Sequence, residues 1–204
     1  MTQKQAGRRA VAPRGEGTRL REEILDATIA LVEELDDPWQ LSLRAVARKV
    51  GITATSIYLH FESLEALLLA AKHRMWQQFG EDMVAAAEAS DGTPYEKVLA
   101  FGRAYVTYAN EHPGAFRTLF TKAWKLPVDD GMTFAGEAQF ALLAQVLHSV
   151  SGSAEEAHLR AVQLWCGIHG LVVLRQPMSQ FPWPDVDEQL VSLARAWTTP
   201  SPHR

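Results

Sequence analysis

Five side chains in one short stretch of the chain could form hydrogen bonds without carrying a negative charge. They are Thr53, Thr55, Ser56, Tyr58 and His60. Hydroxyl groups and aromatic rings of this kind can contact base edges, thymine methyl groups and phosphates in the major groove of DNA. Between residues 41 and 60 the chain has three basic side chains and no acid that would repel a phosphate. The chemistry that this stretch predicts is therefore the binding of a nucleic acid duplex.

Two short helices are predicted to position these side chains. Ser42 is a good N-cap for a helix over residues 43–50, and Gly51 is typical of the position just after a helix end. Thr53 can cap a second helix that runs to about His60. Two helices joined by a tight turn that contains glycine form a helix-turn-helix, and its second helix enters the major groove.

The charge distribution favours a polyanionic partner for the front of the chain. The net charge is −4, yet residues 1–21 hold six basic side chains against one acid. Residues 81–204 hold nine basic side chains against fourteen acidic ones. A basic front on an acidic body is typical of a protein whose front binds a polyanion, although short basic tails are also common without any function.

Residues 18–70 resemble the DNA-binding region of the TetR family of bacterial transcriptional regulators. The matching positions are Leu43, Val46, Ala47, Gly51, Ile52, Thr53, Ile57, Tyr58, His60, Phe61, Ser63 and Leu67. The Tyr58-x-x-Phe61 pair, followed by a helix capped at Ser63, makes the resemblance specific. One position departs from the family pattern, because Leu64 stands where the family usually has a lysine that grips a DNA phosphate. The amides at that helix start can still bind a phosphate through the helix dipole.

The resemblance implies roles for individual residues. The residues expected to contact DNA are Arg44, Lys49, Thr53, Thr55, Ser56, Tyr58 and His60. Thr55, Ser56 and Tyr58 would read the groove, while Thr53, Tyr58 and His60 would contact phosphates and the two basic residues would lie near the backbone. A basic arm formed by Arg8, Arg9 and Arg14 could reach a minor groove. Simpler interpretations stay open, since Thr53 can be only a cap, Tyr58 can pack on the first helix, and the basic pair can form a solvated face.

Helical periodicity covers the rest of the chain, and no convincing strand pattern interrupts it. Capping boxes at Thr93–Glu96 and Ser153–Glu156 mark two helix starts. Further helices are predicted over residues 18–35, 63–89, 115–124, 132–150 and 186–197. The predicted fold class is all-α with about nine helices. We expect a flexible basic arm over 1–17, a DNA-binding domain over 18–65, and a helical effector-binding and dimerisation domain over 66–204.

Two segments of the second domain resemble a TetR subgroup with a Trp-His-Gly signature. They are HPGAFRTLF at 112–120 and LWCGIHGL at 164–171. Trp165 and His169 share one helix face. Gly167 and Gly170 each cost about 1 kcal/mol relative to alanine inside a helix, so another backbone or a ligand is expected to lie close. A pocket anchored by His169 would explain this pattern, and so would a core histidine that donates to a backbone carbonyl.

The family resemblance also implies a small-molecule effector. Aromatic and polar candidates for its site are Phe101, Tyr105, Tyr108, Phe116, Trp124, Phe134, His148, Trp165 and His169. Because such sites are mostly apolar, we expect a small apolar or aromatic effector, although aromatic stripes are more often plain core. The implied function is a transcriptional regulator, most often a repressor, that leaves its palindromic double-stranded DNA operator when the effector binds.

The family forms homodimers through its last two helices, which here would be residues 154–175 and 186–197. Candidate interface residues are Leu159, Val162, Leu190, Leu193, Ala194 and Trp197. The alternative is that these faces only close the core of one protomer.

Other classes of protein fit the sequence less well. The chain has no nucleophile elbow, P-loop, HExxH or dinucleotide fingerprint. We therefore predict no enzyme, no metal site and no cofactor, with a small all-α enzyme as the remote alternative.

The single cysteine, Cys166, excludes an intrachain disulfide, and its apolar surroundings predict a buried, inert thiol. A redox-responsive or constitutive DNA-binding protein stays an alternative. No apolar run reaches the roughly 18 residues that span a bilayer and no signal peptide is evident, so we expect no membrane association and a cytoplasmic location.

Overall fold

The computed structural model describes residues 16–35, 37–90, 92–120 and 136–200, and these residues form nine α-helices and no strand. The helices are α1 Glu16–Glu34, α2 Leu43–Val50, α3 Ala54–Ile57, α4 Leu64–Glu88, α5 Pro94–Glu111, α6 Pro113–Phe120, α7 Glu137–His148, α8 Ala154–Arg175 and α9 Val186–Thr198. A 3₁₀ turn, Pro38–Gln40, lies between α1 and α2. The predicted all-α fold is confirmed.

Local capping signals determine where several helices begin and end. Ser42 Oγ accepts the Ala45 amide at 3.2 Å at the start of α2. Gly51 ends that helix with φ +79°, a left-handed conformation that L side chains adopt at a cost of about 1–2 kcal/mol. The Ile52 amide then bonds back to the Ala47 carbonyl at 2.9 Å, which closes the turn.

The two predicted capping boxes differ in the structure. Thr93 and Glu96 form the complete reciprocal pair at the start of α5. At α8, Ser153 Oγ accepts the Glu156 amide at 3.1 Å, but the Glu156 carboxylate accepts the Gly152 amide at 2.9 Å. The second box is therefore incomplete, because the chain at Gly152 brings an earlier amide within reach of the glutamate.

Three helix starts differ from the predictions. Helix α1 begins at Glu16 instead of Thr18. Helix α6 begins at Pro113 instead of Ala115, because proline is well suited to a first helical turn, where its missing N–H is not needed. Helix α7 begins at Glu137, and the part of its predicted span before Gly136 lies outside the described residues.

The chain divides into two compact units between Ala71 and Lys72, within α4. In the first unit, α1 packs against α2 and α2 against α3. Its core is apolar, and the side chains with less than a tenth of their surface exposed include Ile24, Leu25, Val32, Leu41, Val46, Ile57 and Phe61.

In the second unit, α5 packs against α9, and α8 packs against α5, α7 and α9. The Arg103 guanidinium on α5 joins the Asp187 carboxylate on α9 through two contacts, at 2.6 and 2.8 Å. By length and composition alone, α8 could cross a membrane. Its buried face includes Ala157, Leu164 and Ile168. A core helix of a helical bundle has the same length and composition, so α8 fits that description equally well.

Candidate functional site

The helix-turn-helix presents one buried face and one exposed face. Val46 and Ile57 are fully buried, and Phe61 is almost so. α2 packs against both α1 and α3, and Thr55 is the one exposed side chain of α3 itself. The arrangement fixes the orientation of a short helix that could not be stable alone.

The exposed face of α3 ends in two large side chains. Tyr58 is 55% exposed and Leu59 is 82% exposed, while Thr55 is exposed and His60 half-buried. Although α3 formally ends at Ile57, the His60 and Phe61 amides both bond to the Ile57 carbonyl, at 2.9 and 3.0 Å. The helical path therefore continues to about His60. Leu59 was not among the sequence candidates, although its place four residues after Thr55 puts it on the same face.

The hydroxyl groups of Thr53 and Ser56 serve the start of α3. Thr53 Oγ1 accepts the Ser56 amide at 3.2 Å, and the two hydroxyl oxygens lie 2.8 Å apart. This arrangement supports the simpler interpretation of Thr53 as a cap. The Ser56 hydroxyl, which the sequence predicted to contact DNA in the major groove, is hydrogen-bonded within the same cap.

The basic residues around α2 differ in their surroundings. Arg44 and Arg48 are exposed, and Arg48 was not among the candidate contacts. Lys49 Nζ lies 2.8 Å from Glu34 Oε1 on α1, an ion pair that competes with a phosphate for the ammonium group. The Arg21 guanidinium lies 4.8 Å from the centre of the Phe61 ring, so part of the basic surface comes from α1.

The second unit contains an aromatic cavity of about 150 Å³. Its described lining comes from α4, α5, α6, α7 and α8: Trp76, Phe79, Met83, Phe101, Tyr105, Phe120, Gly136, Gln139, Phe140, Leu143 and Trp165. None of these side chains is charged. An alanine Cβ at Gly80 would overlap the Gln139 side-chain amide, so the missing side chain at Gly80 gives that amide its place in the wall.

Two side chains that are hydrogen-bonded to each other, Tyr105 and His169, lie at the side of the cavity. The Tyr105 hydroxyl is 2.8 Å from His169 Nδ1. Burial raises the pKa of Tyr105, and a hydrogen bond with Trp165 lowers it in part. Burial lowers the pKa of His169, so this imidazole is neutral at pH 7 and its Nδ1 can accept a hydrogen bond from the Tyr105 hydroxyl. Within the described residues, His169 therefore pairs with a side chain through Nδ1.

Comparison with known proteins assigns both units to one family. A family model described as "Bacterial regulatory proteins, tetR family" matches residues 24–71. A second, "Tetracyclin repressor-like, C-terminal domain", matches residues 98–196. A curated relative, the uncharacterized HTH-type transcriptional regulator Rv0681 of Mycobacterium tuberculosis, is 30% identical over 157 residues, which are 76% of this chain and 69% of that protein. The chain belongs to the TetR family. It is a DNA-binding transcriptional regulator and not an enzyme, as the sequence predicted.

Solved structures show the same fold. A TetR-like transcriptional regulator from Rhodococcus sp. RHA1 has a TM-score of 0.62 and 21% identity, with 91% of this chain and 98% of that chain covered. The multidrug binding protein EbrR, complexed with imidazole, has a TM-score of 0.60 and 17% identity, with 90% of this chain and 96% of that chain covered. TetR regulators are commonly repressors with a ligand-binding C-terminal domain. The resemblance to the Trp-His-Gly subgroup stays a prediction.

The TetR effector candidates fall into three groups. Phe101, Tyr105 and Trp165 line the cavity, and His169 adjoins it through Tyr105 and through the Phe120 ring at 4.5 Å. Tyr108, Phe116 and His148 are absent from its described lining. Tyr108 is buried behind Phe79, with ring centres 5.0 Å apart, and His148 is exposed at the end of α7. Trp124 and Phe134 lie outside the described residues, as do Arg8, Arg9 and Arg14.

The exposed face of α8 corrects one prediction and explains another. Cys166 is exposed, not buried as its apolar surroundings predicted, because the face of α8 that carries it packs on no described helix. A Cβ at Gly167 would lie 3.0 Å from the Leu193 side chain on α9. Gly167 therefore allows α9 to approach α8 closely. A Cβ at Gly170 would meet no atom within 4 Å, so nothing described in the protomer requires a glycine there.

Proposed function

We propose that this regulator binds a near-palindromic operator as a homodimer, with α3 of each protomer in a major groove. The observation that supports this best is the exposure of Tyr58 and Leu59 on a helix whose other face is buried. A tyrosine ring and a leucine side chain can contact thymine methyl groups and sugars, and Thr55 can bond a base edge. The two reading helices would lie about 34–36 Å apart, one turn of DNA.

The proposed backbone contacts differ in strength. Arg44 and Arg48 are exposed and would bind phosphates directly. Lys49 would first have to leave Glu34, so its contribution is smaller. The start of α4 offers little compensation for Leu64, because Ser63 Oγ already accepts the Ala66 amide at 3.0 Å and Glu65 places a negative charge in the first turn.

Operator binding tests this proposal. The full chain is titrated into labelled DNA from the region upstream of its own gene, with excess nonspecific competitor, and followed by fluorescence anisotropy. We expect competitor-resistant binding of one dimer per site, with a specific affinity at least about 1,000-fold above the nonspecific one. Equal affinity for the upstream DNA and for scrambled DNA of the same composition would contradict regulation of its own gene. Sequence-specific binding as such would be contradicted if a genome-wide selection of bound DNA fragments enriched no sequence.

We propose that the exposed face of α8 forms the dimer interface, together with α9. Leu159 is 54% exposed and Val173 is 40% exposed, although both are apolar. Leu159, Cys166 and Val173 follow one another at intervals of seven residues, which is two turns of a helix. Gly170 lies on the same side, so these residues form one stripe along α8. A glycine with open space beside it allows the backbone of a second copy to come close, which explains why Gly170 is tolerated inside a helix.

The aromatic cavity is the proposed effector site. A cavity of this size, about 150 Å³, can hold a single aromatic ring, and the described part of its lining has no charged side chain, which favours a neutral molecule. The polar groups of that described lining are the Gln139 amide, the Tyr105 hydroxyl and the Trp165 indole. We therefore infer a neutral single-ring effector with one hydrogen-bonding substituent. Its binding would favour a dimer whose reading helices no longer fit the operator, so that the DNA is released in the cytoplasm.

Replacing Gln139 with leucine is expected to weaken binding of p-cresol about 2- to 10-fold and to leave toluene binding unchanged. The two probes share a ring and a methyl group, and only the hydroxyl of p-cresol needs a hydrogen-bond partner, worth about 0.5–1.5 kcal/mol. Isothermal titration calorimetry measures both affinities. Gln145→Leu, at an exposed position of the same helix, is the matched control and should change neither. Equal loss of both probes would mean that Gln139 only shapes the cavity.

A further inference from the structure

The side chains that α3 and its last turn present to solvent offer DNA more hydrocarbon than hydrogen-bonding groups. The Thr53 and Ser56 hydroxyl oxygens lie 2.8 Å apart, and Thr53 Oγ1 also accepts the Ser56 amide, so both groups serve the helix start. Beyond this cap, the exposed side chains are Thr55, Tyr58 and Leu59. They carry a methyl group, an aromatic ring and an isobutyl group, so apolar contacts dominate what this face can make.

Leu59 is the most exposed large apolar side chain in the described part of the chain. It is 82% exposed, against 55% for Tyr58 and 54% for Leu159. Its backbone is fixed, because the Leu59 amide bonds to the Ser56 carbonyl at 3.3 Å and the two following amides bond to the Ile57 carbonyl. The side chain is therefore held on the exposed face with little packing against the domain, so the fold of the protomer does not explain a leucine at this position.

A leucine side chain in the major groove can recognise only one kind of feature. It has neither a donor nor an acceptor, and among the groups that base pairs display in this groove only the 5-methyl group of thymine is apolar. Against a donor or acceptor edge, leucine would displace water from a polar group and leave that group without a partner. The same side chain therefore favours thymine and disfavours the other bases at the position that it covers.

We propose that Leu59 is a specificity-determining residue that reads the 5-methyl group of one thymine in each half-site of the operator. This role rests on the proposed function, in which α3 of each protomer lies in a major groove. Thr55, four residues earlier on the same face, can bond a neighbouring base edge. Each half-site therefore contains a thymine whose methyl group, and not only its hydrogen-bonding edge, contributes to the affinity.

Exchange of thymine for uracil in the operator duplex tests this role, because uracil keeps every hydrogen-bonding group of thymine and lacks only the methyl group. Each thymine of a half-site is exchanged in turn, together with its symmetry mate, and fluorescence anisotropy measures the affinity of the full-length protein. At one position we expect the wild-type protein to bind at least about fivefold more weakly, since two buried methyl groups are lost per dimer. Leu59→Ala should bind the thymine and uracil duplexes equally, within about 1.5-fold.

Arg48→Ala is the matched control for a complex that is weakened in another way. It removes an exposed side chain of α2 that is proposed to bind a phosphate, so it should weaken binding to both duplexes and keep the wild-type ratio between them. Leu59→Ala should unfold at the same temperature as the wild-type protein, because the atoms that it removes are exposed.

The outcomes separate the role of Leu59 from the proposed function. Leu59 does not read a thymine methyl group if no exchange weakens binding by the wild-type protein, or if Arg48→Ala removes the methyl dependence as well. The same holds if the loss persists in Leu59→Ala, since a neighbouring side chain such as Tyr58 would then contact the methyl group. In each of these cases the operator is still bound specifically and the proposed function stands. A protein that prefers no DNA sequence would contradict the proposed function itself, and the role of Leu59 with it.

Discussion

Replacing Tyr58 with alanine is expected to weaken operator binding at least about 30-fold while the domain stays folded. The ring is 55% exposed at the end of the reading helix, so its removal costs little packing. A groove contact is worth about 1–3 kcal/mol, and the symmetric dimer makes it twice, so about 2–6 kcal/mol is lost. At about 1.4 kcal/mol per factor of ten, this corresponds to 30-fold or more. Fluorescence anisotropy with the operator duplex measures the change.

Two further variants assign the Tyr58 effect to its cause. Tyr58→Phe keeps the ring, so any loss it shows belongs to the hydroxyl group. Tyr95→Ala removes a partly exposed tyrosine from α5, in the C-terminal unit, and should leave DNA affinity unchanged. Thermal unfolding should show that Tyr58→Ala changes stability by less than about 0.5 kcal/mol, as for other surface substitutions. A larger loss of stability with unchanged DNA affinity would show that the ring packs against the domain and does not contact DNA.

The helix-turn-helix could be predicted from the sequence because its signals are local. Ser42 and Gly51 bound α2 at the predicted positions, and Thr53 caps α3 through an amide three residues away. Each of these features depends on neighbours within about five residues. The partner of Lys49 could not be predicted in the same way, because Glu34 lies fifteen residues earlier and reaches it only when α1 packs on α2.

The cavity could be predicted only in part, for a related reason. Its lining comes from five helices, so which aromatic side chains share it depends on how those helices pack. Phe101, Tyr105 and Trp165, which the aromatic pattern offered as effector contacts, do line the cavity, and their role in effector binding stays a prediction. The pattern gave no sign of Gln139, whose position depends on a glycine on another helix, Gly80. Tyr108 has the same chemistry as Tyr105 but bonds to the Met75 carbonyl at 3.3 Å, away from the cavity.

Replacing Gly170 with glutamine is expected to convert the dimer to a monomer and to weaken operator binding at least about 100-fold. A Cβ at this position meets no atom of the described protomer within 4 Å, so in the proposed dimer a longer side chain would collide with the second copy. A monomer binds one half-site and loses the gain in effective concentration that links the two, a factor of about 10²–10⁴. Size-exclusion chromatography with light scattering measures the mass, and anisotropy measures the affinity.

The same substitution should stabilise the protomer, and this opposite sign separates an interface defect from misfolding. Glycine inside a helix costs about 0.8–1.0 kcal/mol relative to alanine, so glutamine at position 170 makes α8 intrinsically more favourable. Ala141→Gln adds the same side chain at an exposed position of α7 and should leave both mass and affinity unchanged. A Gly170→Gln protein that stays dimeric with wild-type operator affinity would show that this stripe of α8 faces solvent in the assembly. The second copy would then have to contact another surface, and the exposure of Leu159, Cys166 and Val173 would need a different partner to explain it.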